Sequence, residues 1–347
     1  MTLVADILSG DRLALARCLT QVENDTPQGR AALDELFPHA GRAHLIGITG
    51  SSGAGKSTLV NQLALAYRRS APRDKAPRVA IVAVDPSSPF SGGAILGDRV
   101  RMRDLAGDPG VFIRSMASRG SVGGLARATA AVTEVLDAAG YDIILIETVG
   151  AGQSEVDIAR LAHTTIVIEA PGMGDDIQAI KAGILEIADI LVVNKADRPG
   201  AENTVRALRN ALELGHPAAR AMQPKGHHAA LESQTAESAA PAESELWLPP
   251  VLVTVASTGE GTAELVSAVQ RHSEYLKRTD LWKERERARL QTALEDLVTA
   301  ALVERWRETL ADETYRQVVH RLLERKISPF EAVSGLVRDQ KPRNRPD

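Results

Sequence analysis

Gly50-Ser-Ser-Gly-Ala-Gly-Lys-Ser57 satisfies every fixed position of the pattern G-x-x-x-x-G-K-[ST], and the rest of the chain has to be arranged around it. Such a loop works only between a buried strand and the start of a helix. Both flanks are present: His44–Thr49 is an apolar run, and Leu59, Leu63 and Tyr67 fall on one helical face. Gly50, Gly53 and Gly55 allow a turn tight enough for successive backbone N–H groups to converge on phosphate oxygens, and the helix N-terminus adds partial positive charge. Gly53, Ala54, Gly55, Lys56, Ser57 and Thr58 are therefore the candidate phosphate-binding residues. Lys56 brings a full charge to the β- and γ-phosphates, and the Ser57 hydroxyl is a candidate Mg²⁺ ligand.

Downstream, Val/Ile/Leu-rich runs alternate with helical stretches: Arg78–Val84, Val111–Arg114, Asp142–Glu147, Thr164–Ala170, Asp189–Asn194 and Val251–Val255. Continuous apolar runs belong to strands buried on both faces, so the expected class is an α/β P-loop NTPase with a mostly parallel sheet covered by helices. Residues 1–40 read as an N-terminal helical extension of two short helices broken at Pro27, 41–277 as the nucleotide domain, and 278–347 as a C-terminal helical region. The Ala-, Ser-, Glu- and Pro-rich stretch 216–248 reads as a surface insertion. In the C-terminal region Leu290, Leu294, Leu297, Ala301 and Leu302 form an apolar stripe that either folds back on its own domain or pairs with a second copy. The charged run Lys283–Arg289 before it reads most simply as a solvated helical face.

Two further clusters lie where strands end. Asn194-Lys195-Ala196-Asp197 matches the guanine-reading pattern N-K-x-D. A carboxylate at Asp197 can accept from the ring N1–H and the exocyclic amine of guanine, a donor pair that adenine lacks; Asn194 orients the loop and the Lys195 stem covers the base. Ala256 and Ser257, after the last strand, stand where a further base-contacting loop belongs, although Ser-Thr-Gly is also an ordinary turn. Glu147 closes a buried strand ahead of Thr148-Val149-Gly150, where a carboxylate serves the metal or orients water and the Gly150 N–H meets the γ-phosphate. Asp85 and Asp98 are further candidates for the Mg²⁺ shell, with a helix cap as the other reading of Asp98. Lys181, in the glycine-rich stretch 171–183, either acts on phosphate or a partner or is an ordinary solvated lysine.

Composition narrows the class. A net charge of −4 gives no reason to expect nucleic acid or a membrane surface as the main partner, and no apolar segment approaches spanning length, so a cytoplasmic protein is expected. The single cysteine, Cys18, leaves no disulfide framework within one chain and reads as a small core hydrophobe.

Asp85-Pro-Ser-Ser88, Ser91-Gly-Gly93, Leu96-Gly-Asp98, Glu147-Thr-Val-Gly150 with Gly152-Gln-Ser154, and Gly174-Asp175 with Gln178 and Lys181 resemble the MeaB/ArgK group of G proteins, the GTPase chaperones of adenosylcobalamin-dependent acyl-CoA mutases. The resemblance runs from about Asp11 to Val337. It implies GTP and GDP as ligands with Mg²⁺, phosphates and metal on Lys56 and Ser57, metal and hydrolysis duties for Asp85, Asp98 and Glu147, and guanine recognition by Asn194 and Asp197. It also implies a switch over 172–183 that relays nucleotide state to the mutase, with Lys181 in activated hydrolysis, and a homodimer built from the C-terminal helices. Ala256-Ser257-Thr258 departs from the group's Ser-Ala-x, and the absence of D-x-H-x-x-G places the corrinoid on the mutase. Rival readings are a small-molecule kinase or transport-linked ATPase, which Asn194–Asp197 argues against, and a nickel-delivery GTPase, which a single remote cysteine argues against.

Overall fold

The computed structural model describes residues 2–86, 102–105, 107–118, 124–148, 154–172, 182–215 and 246–338. Seven strands form one sheet: β1 His44–Gly50, β2 Val79–Pro86, β3 Val111–Ser118, β4 Ile143–Thr148, β5 Thr164–Glu169, β6 Ile190–Asn194 and β7 Val251–Thr254. Their order is β3-β2-β4-β1-β5-β6-β7, and every pairing is parallel. β1 thus runs up the middle, between β4 and β5.

Alternation along the strands divides the core. Leu45, Ala80, Val82, Ile144 and Ile146 point to one face, while Ile46, Ile48, Val79, Ile81 and Leu145 point to the other. The first face packs against α1 Leu3–Leu8, α2 Arg12–Glu23, α3 Pro27–Leu36, α5 Gly124–Ala138 and α6 Ser154–Leu161. The second packs against α4 Lys56–Arg69 and α9 Thr262–Arg278. α7 Ala182–Ile187 and α8 Ala201–Gly215 add Leu185, Val205, Leu208 and Leu212 against Val167, Leu191 and Val193.

The N-terminal extension holds three helices where the sequence suggested two. Gly10 turns the chain with φ +93°, and Asp11 caps α2 by accepting from Leu13 N–H (2.7 Å) and Ala14 N–H (2.9 Å). Pro27 opens α3 at its first turn with Thr26 as the cap. Arg12 then donates to the backbone of Pro109 (2.8 Å) and Val111 (2.7 Å), and Arg114 pairs with Glu23, which fastens α2 along the outer strand β3. Cys18 is fully buried in this layer, and burial pushes its thiol up to about 11, so it is chemically inert there.

The amino-terminal ends of the central strands carry a polar network that the sequence did not reveal. His44 Nε2 lies 2.8 Å from Thr164 Oγ1, which lies 2.9 Å from His272 Nδ1. Asp189 accepts a bidentate pair from Arg285 (2.8 and 2.8 Å) and the Thr165 N–H (2.8 Å), and stands 3.3 Å from His272 Nε2. Glu286 accepts from His163 Nε2 (3.2 Å) and Arg289, and Arg289 also meets Glu134. Lys283–Arg289 is therefore only partly a solvated face: Lys283, Glu284 and Arg287 are exposed, but Arg285, Glu286 and Arg289 turn onto the strand ends, and Arg289 is buried. Their partners are remote in sequence, so local composition could not show this. Trp282 stacks on His163 at 4.0 Å between ring centroids.

His163 Nδ1 accepts the Leu45 N–H at 3.1 Å, so Nε2 carries the proton given to Glu286 and the ring is neutral. Burial holds His163 below the usual imidazole range and His44 further below it. At Glu286 burial pushes the carboxyl up, but the bonds from His163 and Arg289 prevail and hold it at about 2. A histidine depressed in the folded state contributes stability above about pH 6.5 and loses it as pH falls, because the unfolded chain takes up the proton first. Thermal midpoints are therefore expected to fall from pH 7.5 to pH 5. His163→Asn, which keeps an acceptor for Leu45, is expected to flatten that slope by up to one proton, about 1.4 kcal/mol per pH unit. An unchanged slope in the variant would remove His163 from the effect.

The chain divides into two compact units, Met1–Leu290 and Gln291–Asp347. α10 Leu281–Thr309 runs through the division and is followed by α11 Asp312–Leu323 and α12 Pro329–Arg338. Within the second unit, Trp306 Nε1 donates to Leu336 O (3.3 Å) and its ring meets Tyr315 edge-on. Leu294, Leu297, Leu302, Leu323, Phe330, Val333 and Val337 remain more than half exposed. Among the described residues, no helix is long and apolar enough to cross a membrane.

Candidate nucleotide-binding site

The phosphate loop leaves β1 at Gly50 and enters α4 at Lys56. Gly50 sits at φ +133°, where a Cβ would lie 2.0 Å from Ile168 O on the neighbouring strand. Gly55, the N-cap of α4, sits at φ +94°, where a Cβ would lie 2.4 Å from Asn194 Nδ2. Glycine is required at both, by left-handed backbone and by close approach. What results is a loop with no side chain at its two tightest points, opening on the N-terminus of a 14-residue helix.

Lys56 is buried, and its Nζ donates to Gly50 O (2.8 Å) and Ser51 O (3.0 Å), so the ammonium spans the loop. Ser57 Oγ donates to Glu147 Oε1 at 2.6 Å. Glu147 is 4% exposed near the end of β4, which pairs with β1 through Ile48 and Glu147. A hydroxyl and a carboxylate, both hard oxygen donors, converge beside the phosphate loop, a donor set that fits Mg²⁺ completed by phosphate and water oxygens. Thr49 and Thr148 Oγ1 meet at 3.1 Å, closing the floor below.

The loop after β6 is tied to the phosphate loop by side chains. Asn194 Nδ2 donates to Ala54 O (2.8 Å), while Asn194 Oδ1 accepts from Thr254 Oγ1 (3.1 Å) and the Ala256 N–H (3.0 Å). One buried amide thus joins the ends of β6 and β7 to the loop after β1. Lys195, at φ +58°, donates from Nζ to Gly53 O at 2.6 Å. Asp197 and Ser257 are exposed on the turns beyond, as are Gly53 and Thr58 on the phosphate loop, while Ala54 and Ala256 are buried.

The structure therefore brings Gly53–Thr58, Glu147, Asn194, Lys195 and Ala256 to the carboxyl ends of β1, β4, β6 and β7. Asp85 lies on β2 opposite Ala117 of β3, but its side chain lies outside the described residues, as do Asp98, Gly150 and Lys181 altogether. Among the described residues, no three His, Cys, Asp or Glu side chains gather as a metal site.

One contact is not evident from the sequence patterns. Ser51 Oγ donates to Glu169 Oε2 at 2.7 Å, and Glu169 is 6% exposed at the end of β5. A signal for it exists, because Glu169 ends a buried strand as Glu147 does.

Comparison with known proteins gives one consistent answer. The family model described as methylmalonyl Co-A mutase-associated GTPase MeaB matches residues 15–311. A protein of Pyrococcus abyssi named as a GTPase is 40% identical over 337 residues, covering 97% of this chain and 95% of its own. A Caenorhabditis elegans protein named methylmalonic aciduria type A homolog, mitochondrial, is 35% identical over 240 residues, 64% of this chain and 59% of that one. The crystal structure of a protein named LAO/AO transport system kinase superposes with a TM-score of 0.64 at 25% identity, covering 97% of this chain and 95% of that chain.

Proposed function

The chain belongs to the MeaB family of methylmalonyl-CoA mutase-associated GTPases, and on that premise we propose that its GTP hydrolysis gates the loading, protection and reactivation of the cofactor of an adenosylcobalamin-dependent acyl-CoA mutase. Membership makes it a GTPase; the mutase is the partner this reading adds. The observation that carries it is the Ser57–Glu147 contact, because it joins the phosphate loop to the strand that leads directly into Thr148-Val149-Gly150. A change at the γ-phosphate then has a path, through this hydrogen bond and the backbone that follows Glu147, into a loop that a partner can feel.

Within the site, the phosphate-loop N–H groups and the Lys56 ammonium supply fixed positive charge where negative charge develops on the transferring phosphoryl group. Ser57 and Glu147 hold Mg²⁺ in this reading, with Asp85 and Asp98 in its surroundings; the ion, when bound, neutralises charge on the β- and γ-oxygens. Asn194 fixes the height of the base-reading turn against Ala54, and Asp197 on that turn accepts from guanine. Gly150 and Lys181 complete the γ-phosphate response. The exposed apolar side chains of the second unit support a homodimer through the C-terminal helices. A cytoplasmic location goes with this partner.

Calorimetric titration of a methylmalonyl-CoA mutase tests the reading. The expected result is an affinity that differs by about tenfold or more between GDP and a non-hydrolysable GTP analogue, together with faster phosphate release when the mutase is present. Equal affinity in both states and unchanged release would overturn the chaperone role. The name carried by the similar solved structure, a transport system kinase, favours a second reading along those lines. Stimulation of phosphate release by an amino acid but by no mutase would select it.

A further inference from the structure

Among the described residues two carboxylates hold the phosphate loop, and of these only Glu147 has a part in the chemistry above. Glu147 holds Ser57, where the loop enters α4; Glu169 holds Ser51, where the loop leaves β1. β1 lies between the strands that carry them, so the loop is gripped at both ends from neighbouring strands. The register fixes the second grip: Gly50 pairs with Ile168 so closely that no Cβ fits between them, and Glu169 is the next residue.

A buried carboxylate beside a polyphosphate site is costly, because its charge opposes the ligand's. Its presence therefore calls for a return in another form. Ser51 provides one: its hydroxyl is held by Glu169 at 2.7 Å, and its carbonyl accepts from Lys56 Nζ at 3.0 Å. Glu169, Ser51 and Lys56 form a chain in which the carboxylate sets the residue on which the catalytic ammonium rests.

We propose that Glu169 is a positioning residue of the phosphate loop, acting through Ser51 to set where Lys56 and the first loop N–H groups meet the β- and γ-phosphates. Acting through Ser51 and the loop N–H groups that grip the phosphates, its effect falls mainly on nucleotide affinity and KM. Through Ala170, Pro171 and Gly172 it also joins the phosphate loop to the chain after β5, a second outlet besides the one through Glu147.

The test is a double-mutant cycle on the full chain with Mg²⁺, read by binding of a fluorescent GDP analogue and by steady-state GTP hydrolysis. Glu169→Ala and Ser51→Ala are each expected to weaken GDP and raise KM by about tenfold, with kcat changed by about threefold or less. The double variant is expected to bind within about twofold of the weaker single one, because both remove the same contact. Glu169→Gln keeps an acceptor of the same length and is expected to recover affinity to within about threefold of the unaltered protein. If Glu169→Ala does not fold, Ser51→Ala and Glu169→Gln together still decide. Effects that multiply in the double variant, unaltered affinity in Ser51→Ala, or a Glu169→Gln variant as weak as Glu169→Ala would overturn the proposal.

Discussion

Lys56→Ala is expected to lower kcat/KM for GTP by about a thousandfold while leaving the chain folded. The ammonium is a buried charge already held across Gly50 O and Ser51 O, so it is preorganised as charge builds on the phosphoryl oxygens. Removing one such donor from a site built to stabilise a transition state costs roughly a hundred- to a thousandfold. A triphosphate raises the stake because the lost donor is a full charge. Arginine is not expected to rescue, since its planar fork cannot occupy the compact seat of a point charge between two carbonyls. Phosphate release under saturating GTP, with circular dichroism on the same sample, checks this. Activity within about tenfold of the unaltered protein would mean that the loop works by its backbone alone.

The second large effect concerns stability. Asp189→Ala is expected to destabilise the first unit by about 3–5 kcal/mol, or roughly 10 °C in thermal midpoint. Burial pushes the Asp189 carboxyl up, yet hydrogen bonds from Arg285 and the neighbouring His272 hold it well below the usual carboxylate range. Deletion leaves the Arg285 guanidinium and the Thr165 N–H without their carboxylate, both at the amino end of the sheet. Because the folded value is depressed, this contribution is complete above about pH 4 and is lost as pH falls through the lower folded value. Asp189→Ala paired with Arg285→Leu is expected to recover part of the loss, since an apolar replacement leaves no orphaned charge. Equal destabilisation in single and double variants, followed by differential scanning calorimetry, would show that the Thr165 contact and not the ion pair carries the energy.

Much of the nucleotide end is legible in the sequence because its chemistry is local. Gly50–Ser57 and Asn194–Asp197 are contiguous, and the strands that present them are unbroken apolar runs, so every strand of the sheet stands out. A mostly parallel sheet follows from those runs together with the helical stretches between them, and the structure makes every pairing parallel. The opposite end is not legible, because Asp189 finds Arg285, His163 finds Glu286 and Glu134 finds Arg289 only after the sheet has assembled. The alternation Lys283-Glu-Arg-Glu-Arg287 looks like any solvated helix until its neighbours are known. Glu169 is an intermediate case: its position at a strand end is readable, but its partner Ser51 lies 118 residues away. The Gly10–Asp11 break between α1 and α2 is hard to see because two residues of turn and cap leave little trace in a helical rhythm.

The parallel sheet sorts the molecule's tasks by strand direction. Carboxyl ends hold the described residues of the candidate nucleotide site, while amino ends hold the bolts of Asp189 and Arg289; a strand of about five to seven residues separates the two by roughly 17–23 Å. At that distance perturbations add. Loss-of-function alleles in such a chain should sort into two non-overlapping kinds, those that lower how much protein survives in the cell and those that lower what each surviving copy can do.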